Sequence, residues 1–174
     1  MHLGDLLEDA PEGNGIVCLL TSNNVEGVMG YHDELAYKIG SCLNPETKSY
    51  ISGLPMEIIK GDFHLVHDNP LSKVKNEGLC NSGGYIKDEY SAGRVFEEAS
   101  FKVLIVGHTH KAEQYEYDDA SVVRYRESSI QLDPQRRYIL NPGPVCAQSR
   151  GTEPSVGVFD FENNHFSVRK LWED

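Results

Sequence analysis

Two histidines separated by one residue follow an apolar run in the second half of the chain. Residues 103–106 are aliphatic, the run ends at Gly107, and the chain continues with His108, Thr109 and His110. Such a run predicts a buried strand, and the histidines then lie in the loop at its end. Neutral imidazole is the commonest protein ligand for transition metals, so this spacing indicates a metal site. Taken alone, the pair fits equally well a loop in which one histidine caps the turn and the other is solvated.

Four further polar clusters follow predicted strands or glycine turns. They are Gly4-Asp5, Gly30-Tyr31-His32-Asp33, His67-Asp68 and Asn141-Pro142-Gly143-Pro144. Open α/β sheets bind ligands at the ends of their strands, so we expect these clusters to meet His108 and His110. Simpler interpretations exist for three of them: Asp5 as a turn former, Asp33 as a helix N-cap, and His67 as a buried, hydrogen-bonded histidine.

Hydrophobic periodicity predicts a mixed α/β chain. Helices are predicted at residues 16–20, 44–52 and 89–99, the second with Asn44 as N-cap and Pro45 in the first turn. Strands are predicted at 25–29, 56–59, 63–66, 103–106, 112–117, 122–126 and 138–140, with a C-terminal hairpin at 156–161 and 165–171. Turn formers predict a loop over 68–88. Arg136 and Arg137 are expected on an exposed turn, with contact to a substrate phosphate as the alternative.

Composition narrows the class of protein. The chain has 174 residues, which suits a single domain over 1–174. Its formal net charge of −11 opposes binding to anionic membranes and to nucleic acids larger than small nucleotides. The four cysteines show no paired spacing, which favours reduced thiols. With no membrane-length apolar stretch and no signal-peptide pattern, we expect a cytoplasmic protein.

In order and spacing, the five clusters resemble those of the calcineurin-like metallophosphoesterases, especially the small bacterial and archaeal phosphodiesterases. The resemblance extends over residues 3–171. It implies a two-sheet α/β sandwich with metal ions at the loops that follow the strand ends. By position, Asp5 is then the carboxylate that bridges two metal ions. His67 and His108 are implied as ligands of the second ion, and His110 as a ligand of the first.

The same resemblance implies the catalytic and substrate-binding groups. His32 is expected near the leaving group with Asp33 beside it as an orienting residue, and Asn141 and Gly143 are expected to bind substrate at the rim. The implied reaction is hydrolysis of phosphodiesters or small phosphate esters by metal-activated water. Manganese is the expected metal, with iron, nickel or zinc as alternatives, because imidazole and carboxylate donors suit all four.

The chain departs from the family pattern at several positions. In the family, an Asp-x-His motif lies about one strand-helix unit, on the order of 30 residues, upstream of Gly-Asp. No such motif precedes Asp5 in this sequence. We therefore expect the first strand and helix to be missing, through a truncated N-terminus or a decayed gene. Tyr31 stands where the family has an Asn ligand, Asp68 where it has Gly, and Pro144 where it has Ser.

These departures predict one bound metal ion rather than two, and weak turnover. A sheet edge left unpaired by the missing strand would favour a homodimer. The alternative, from a different functional class, is a non-catalytic scaffold that keeps the fold for protein–protein contacts. The natural substrate is left open by the sequence.

Overall fold

A computed structural model describes residues 1–7, 12–71, 85–126, 128–146 and 152–172. The helices in this part of the chain are α1 (Gly13–Ser22), α2 (Tyr31–Ile39), α3 (Pro45–Gly53) and α4 (Glu89–Glu98). The strands are β1 (Glu57–Lys60), β2 (Phe63–Val66), β3 (Val103–Ile105), β4 (Ala112–Tyr117), β5 (Val122–Tyr125), β6 (Ser129–Gln131), β7 (Arg137–Pro142), β8 (Ser155–Asp160) and β9 (His165–Lys170). Within the described residues, no helix has the length and apolar character that a bilayer crossing requires.

The larger sheet supplies the edge at which the polar clusters meet. Its six strands have the order β1-β2-β3-β7-β4-β5. The three strands β2, β3 and β7 are parallel, with Leu65 paired to Ile105 and Ile105 paired to Leu140. Because parallel strands end at the same edge, the residues that follow β2 and β3 and those that close β7 lie side by side.

Two apolar layers cover the faces of this sheet. Side chains alternate along a strand, so neighbouring residues such as Val103 and Leu104 face opposite layers. Leu104 packs with α4 residues that include Val95 and Phe96. Val103 packs instead against the smaller sheet, of order β6-β9-β8, through residues such as Phe166. The predicted two-sheet α/β sandwich is therefore confirmed.

Most elements predicted from periodicity are present. The three predicted helices correspond to α1, α3 and α4, and the predicted hairpins to β1–β2 and β8–β9. Helix α2 is expected only in the alternative interpretation of Asp33 as a helix N-cap, and strand β6, with three residues, has no predicted counterpart. Most of the loop predicted over 68–88 falls on residues 72–84, which lie outside the described residues.

The strand predicted at residues 25–29 is wrong. That segment makes a single parallel bridge, between Gly27 and His2. The backbone N–H of His2 donates to the Glu26 carbonyl (2.9 Å), and that of Val28 donates to the His2 carbonyl (3.3 Å). The partner segment turns away at Gly4, whose φ is +86°, so it offers too few backbone groups for a ladder.

Arg137 lies under helix α4 and not on an exposed turn. Its guanidinium donates to the carbonyls of Phe96 (2.6 Å), Ala99 (2.5 Å) and Phe101 (2.9 Å), and its carbon lies 4.6 Å from the Phe101 ring centroid. It therefore satisfies carbonyls that the end of the helix leaves without partners. These contacts rule against the predicted exposed position and against the phosphate contact considered for Arg137.

We expect Arg137→Ala to lower the free energy of unfolding by about 1–3 kcal/mol, because three partly buried carbonyls lose a charged donor. Arg137→Lys should recover only part of this, because an ammonium lacks the planar fork. Urea unfolding of both variants measures the difference. The control is Arg94→Ala, in which an exposed helical ion pair with Glu98 is lost and the expected change is below about 0.5 kcal/mol. Equal losses for Arg94→Ala and Arg137→Ala would contradict the capping role.

Candidate metal centre

Three ligand atoms converge where β2 and β3 end. One atom each from Asp5, His67 and His108 all lie within 4.8 Å of one another. His67 Nε2 is 3.1 Å from Asp5 Oδ2 and 3.0 Å from His108 Nδ1. The side chains of His67 and Asp5 are only 5% and 9% exposed. This small, shielded group contains donors from three separate segments of the chain.

Hydrogen bonding sets the orientation of the His67 ring. Its Nδ1 is 2.5 Å from the carbonyl oxygen of Leu3, and since a carbonyl only accepts, Nδ1 must carry the proton. In the neutral ring, Nε2 then presents its lone pair to Asp5 and His108, as ligating histidines do. The N–H of Gly107 donates to the His67 carbonyl at 2.9 Å, which ties the ends of β2 and β3 together.

Asp5 is held by the start of helix α2. Its Oδ1 accepts the backbone N–H of His32 at 2.8 Å, which leaves Oδ2 for His67. The first N–H groups of a helix have no partner within the helix, so a carboxylate at this position satisfies one of them. Asp5 itself has φ +55°, and His108 and His110 have φ +62° and +56°. Such strained backbone at three predicted ligands is typical of functional sites.

Electrostatics favour a cation in this group. Burial works against ionisation of Asp5, but the hydrogen bond and charge of His67 outweigh it and lower the pKa of Asp5. Burial likewise opposes the charged form of His67, and the Asp5 carboxylate outweighs it and raises the pKa of His67. Burial together with the His67 charge lowers the pKa of His108 to about 4, so its ring is neutral near pH 7. An ionised carboxylate and a neutral imidazole are the forms in which these side chains bind a cation.

The donor set fits a divalent transition metal. Ligands bound to one ion at about 2.0–2.2 Å lie roughly 3 to 3.5 Å apart, and the two contacts of His67 have this length. Two imidazoles and a carboxylate suit manganese, iron, nickel or zinc, and three protein ligands leave coordination positions open for water or substrate.

A comparison with known protein families decides the assignment. A family model described as the calcineurin-like phosphoesterase superfamily domain matches residues 1–164. The chain belongs to this superfamily.

Solved structures with the same fold agree with this assignment. A metallophosphoesterase from Sphaerobacter thermophilus is 22% identical with a TM-score of 0.78, over 99% of this chain and 77% of that one. Hypothetical protein PH1004 from Pyrococcus horikoshii OT3 is 13% identical with a TM-score of 0.61, over 99% of this chain and 74% of that one. No curated protein sequence matches the chain.

The two histidines of the β3–β4 loop differ in position. His108 is in the three-donor group, and Tyr85 stacks on its ring with centroids 4.6 Å apart and planes at 19°. His110 is not in that group, although its charge affects the pKa of His108. Its role as a metal ligand stays a prediction. Tyr85, at the end of a segment predicted as loop, carries no signal in the sequence that would mark it as part of the site.

His32 and Asp33, the predicted catalytic pair, occupy different environments. The ring of His32 packs edge-on against Tyr31, with centroids 5.3 Å apart, and its charge lowers the pKa of Asp5. Asp33 is completely buried, and its carboxylate accepts backbone N–H groups, including those of Asp5 and Gly30. The alternative interpretation of Asp33 as the N-cap is wrong, because Gly30 is the N-cap of α2 and Asp33 is the third residue of the helix. The catalytic roles of His32 and Asp33 stay predictions.

Asn141 and Gly143, predicted to bind substrate, brace the loop that carries His108. The Asn141 amide donates to the Gly107 carbonyl (2.8 Å) and to the Thr109 hydroxyl (3.0 Å), and its oxygen accepts the Gly143 N–H (2.9 Å). Asn141 is only 3% exposed. A direct substrate contact by either residue stays a prediction.

The contact between Gly30 and Asp5 leads to a test. A Cβ at Gly30 would overlap both the backbone nitrogen and Oδ1 of Asp5, so Gly30→Ala should displace Asp5. We expect this variant to bind Mn²⁺ at least about tenfold more weakly. Its free energy of unfolding should fall by about 2 kcal/mol or more. A Cβ at Gly15, in α1, would meet nothing within 4 Å, so Gly15→Ala should stabilise by about 0.5–1 kcal/mol. Urea unfolding and calorimetric Mn²⁺ titration measure both. Unchanged Mn²⁺ affinity in Gly30→Ala would contradict this account of the site.

Proposed function

We propose that this chain is a metal-dependent phosphoesterase that hydrolyses phosphodiesters or small phosphate esters. The observation that carries the proposal is the convergence of Asp5, His67 and His108 at the strand ends of a calcineurin-like phosphoesterase. Manganese is the proposed metal. A bound divalent ion lowers the pKa of a water ligand and neutralises the charge of the phosphate.

Different residues of the chain bind the ion and protonate the leaving group. Asp5, His67 and His108 hold the ion, and the Leu3 carbonyl keeps His67 Nε2 free to do so. An imidazole nitrogen of His32 supplies a proton to the departing oxygen. This role is supported by the neighbouring position of His32, whose backbone N–H donates to the Asp5 carboxylate at the start of α2. The net charge of −11 favours small substrates over long nucleic acids.

We further propose that the three-donor group binds one ion and that turnover is slow. Among the described residues, this group is the only set of three or more candidate metal ligands. Tyr31 packs edge-on against the His32 ring and stands where the family pattern has an asparagine ligand. The alternative is a non-catalytic scaffold, which the replacement of the asparagine ligand by Tyr31 favours. Such a protein would hold the ion without turnover.

Ligand substitutions test the proposed metal site. His67→Ala and His108→Ala should each weaken Mn²⁺ binding, measured by calorimetric titration, by at least about 100-fold, because each removes a direct ligand. Hydrolysis of bis-p-nitrophenyl phosphate should fall with it. His64→Ala is the matched control, since His64 lies in β2 but contacts Glu57 on the outer strand, 2.9 Å away. Wild-type affinity in either ligand variant, or equal losses in His64→Ala, would refute the site.

The role of His32 has a separate test. His32→Ala should lower kcat by about 100-fold on a phenyl ester, because phenoxide is a basic leaving group that departs more easily when it is protonated. The loss should be much smaller on a p-nitrophenyl ester, whose leaving group departs as a stable anion. Mn²⁺ affinity should stay unchanged, because the backbone N–H that binds Asp5 remains. Equal losses on both esters would contradict the acid role, and Mn²⁺ binding without any turnover of the wild type would favour the scaffold.

A further inference from the structure

The carboxylate of Asp33 joins two separate segments of the chain. Its Oδ1 accepts the backbone N–H groups of Leu6 (2.8 Å) and Leu7 (3.2 Å). Its Oδ2 accepts those of Asp5 (2.9 Å) and Gly30 (2.9 Å). The side chain has no exposed surface. The two oxygens thus accept four backbone hydrogen bonds, three from the N-terminal loop and one from the start of α2.

A carboxylate matches this set of bonds with both of its oxygens. Each oxygen of a carboxylate accepts two hydrogen bonds, so four N–H groups fill both oxygens. An amide of the same shape would offer one oxygen and turn an NH₂ donor toward the other pair of N–H groups. Buried N–H groups without acceptors are strongly unfavourable, so the loop would rearrange.

The two segments hold each other reciprocally. Asp33, in α2, accepts the N–H of Asp5, while Asp5 accepts the N–H of His32, also in α2. Asp5 has φ +55°, a conformation that a non-glycine residue keeps only when its surroundings enforce it. Because backbone and side chain of Asp5 are both tied to the start of α2, Oδ2 is directed at His67 Nε2, 3.1 Å away.

We infer that Asp33 is a positioning residue for metal binding, which holds the backbone of residues 5–7 so that Asp5 Oδ2 is presented to the ion. The part of this inference that concerns the ion rests on the proposed function. The part that concerns the loop rests on the hydrogen bonds alone. It gives Asp33 a role distinct from orienting the His32 imidazole.

The first test is Asp33→Asn in the full chain. Mn²⁺ affinity, measured by calorimetric titration with the metal alone, should fall by about 10- to 100-fold, as for other groups that support metal ligands. In the metal-free protein, amide hydrogen exchange at residues 5–7 should become at least about tenfold faster, because those N–H groups lose their acceptor.

A second variant separates the loop from the helix start. Glutamate is the usual third residue of a capping box, so Asp33→Glu can still accept the Gly30 N–H and keep α2 capped. Its carboxylate is displaced by one methylene and should no longer match the N–H groups of residues 5–7. Asp33→Glu should therefore also lose Mn²⁺ affinity and protection at residues 5–7.

The control is Asp88→Ala, which removes a different helix-capping carboxylate. Asp88 accepts the Ser91 N–H at the start of α4, and its loss should lower the free energy of unfolding without changing Mn²⁺ affinity. Wild-type affinity and wild-type exchange at residues 5–7 in Asp33→Asn or Asp33→Glu would overturn the inference, as would an equal loss of affinity in Asp88→Ala. If the wild type binds no Mn²⁺, the proposed function fails, while exchange in the metal-free variants still decides the role of Asp33.

Discussion

The contacts of the His67 imidazole are the interaction on which the site depends. One ring nitrogen donates to the carbonyl of Leu3, and the other faces Asp5 and His108. The ring therefore joins the N-terminal segment, at Leu3 64 residues earlier in the sequence, to the loop after β3, at His108 41 residues later. Without it, the Asp5 carboxylate would lose its direct contact with the sheet edge, 3.1 Å from His67 Nε2.

The larger sheet supplies the rigid part of this arrangement. Parallel pairing of β2, β3 and β7 brings His67, His108 and Asn141 to one edge, and the apolar layers on both faces hold those strands in register. The loops are then fixed by polar contacts. Asn141 braces the loop of His108, while Asp33 braces the loop of Asp5. Packing of the sheet thus positions the strand ends, and hydrogen bonding then positions the loops that follow them.

Parts of the fold and site were predictable because they depend on local pattern. Apolar runs that end in glycine predicted β3 and the loop with His108, and an Asn-Pro pair predicted the start of α3. Residues 25–29 have the composition of a strand but lack a partner long enough to pair with, which no local pattern reveals. Arg137 looks like one of a charged surface pair, and its partly buried position follows from where α4 ends in space.

The sequence by itself determined which chemical groups are available and that they follow strand ends: a carboxylate at Asp5 and imidazoles at His67 and His108. Strand periodicity and turn formers act over a few residues, so they can be read without the fold. Only the tertiary structure decided what each polar group bonds to. The choice of His67 tautomer and the burial of Asp33 against the N-terminal loop both depend on segments brought together from distant positions. The reason is that every buried N–H needs an acceptor, and that acceptor is selected by proximity in space.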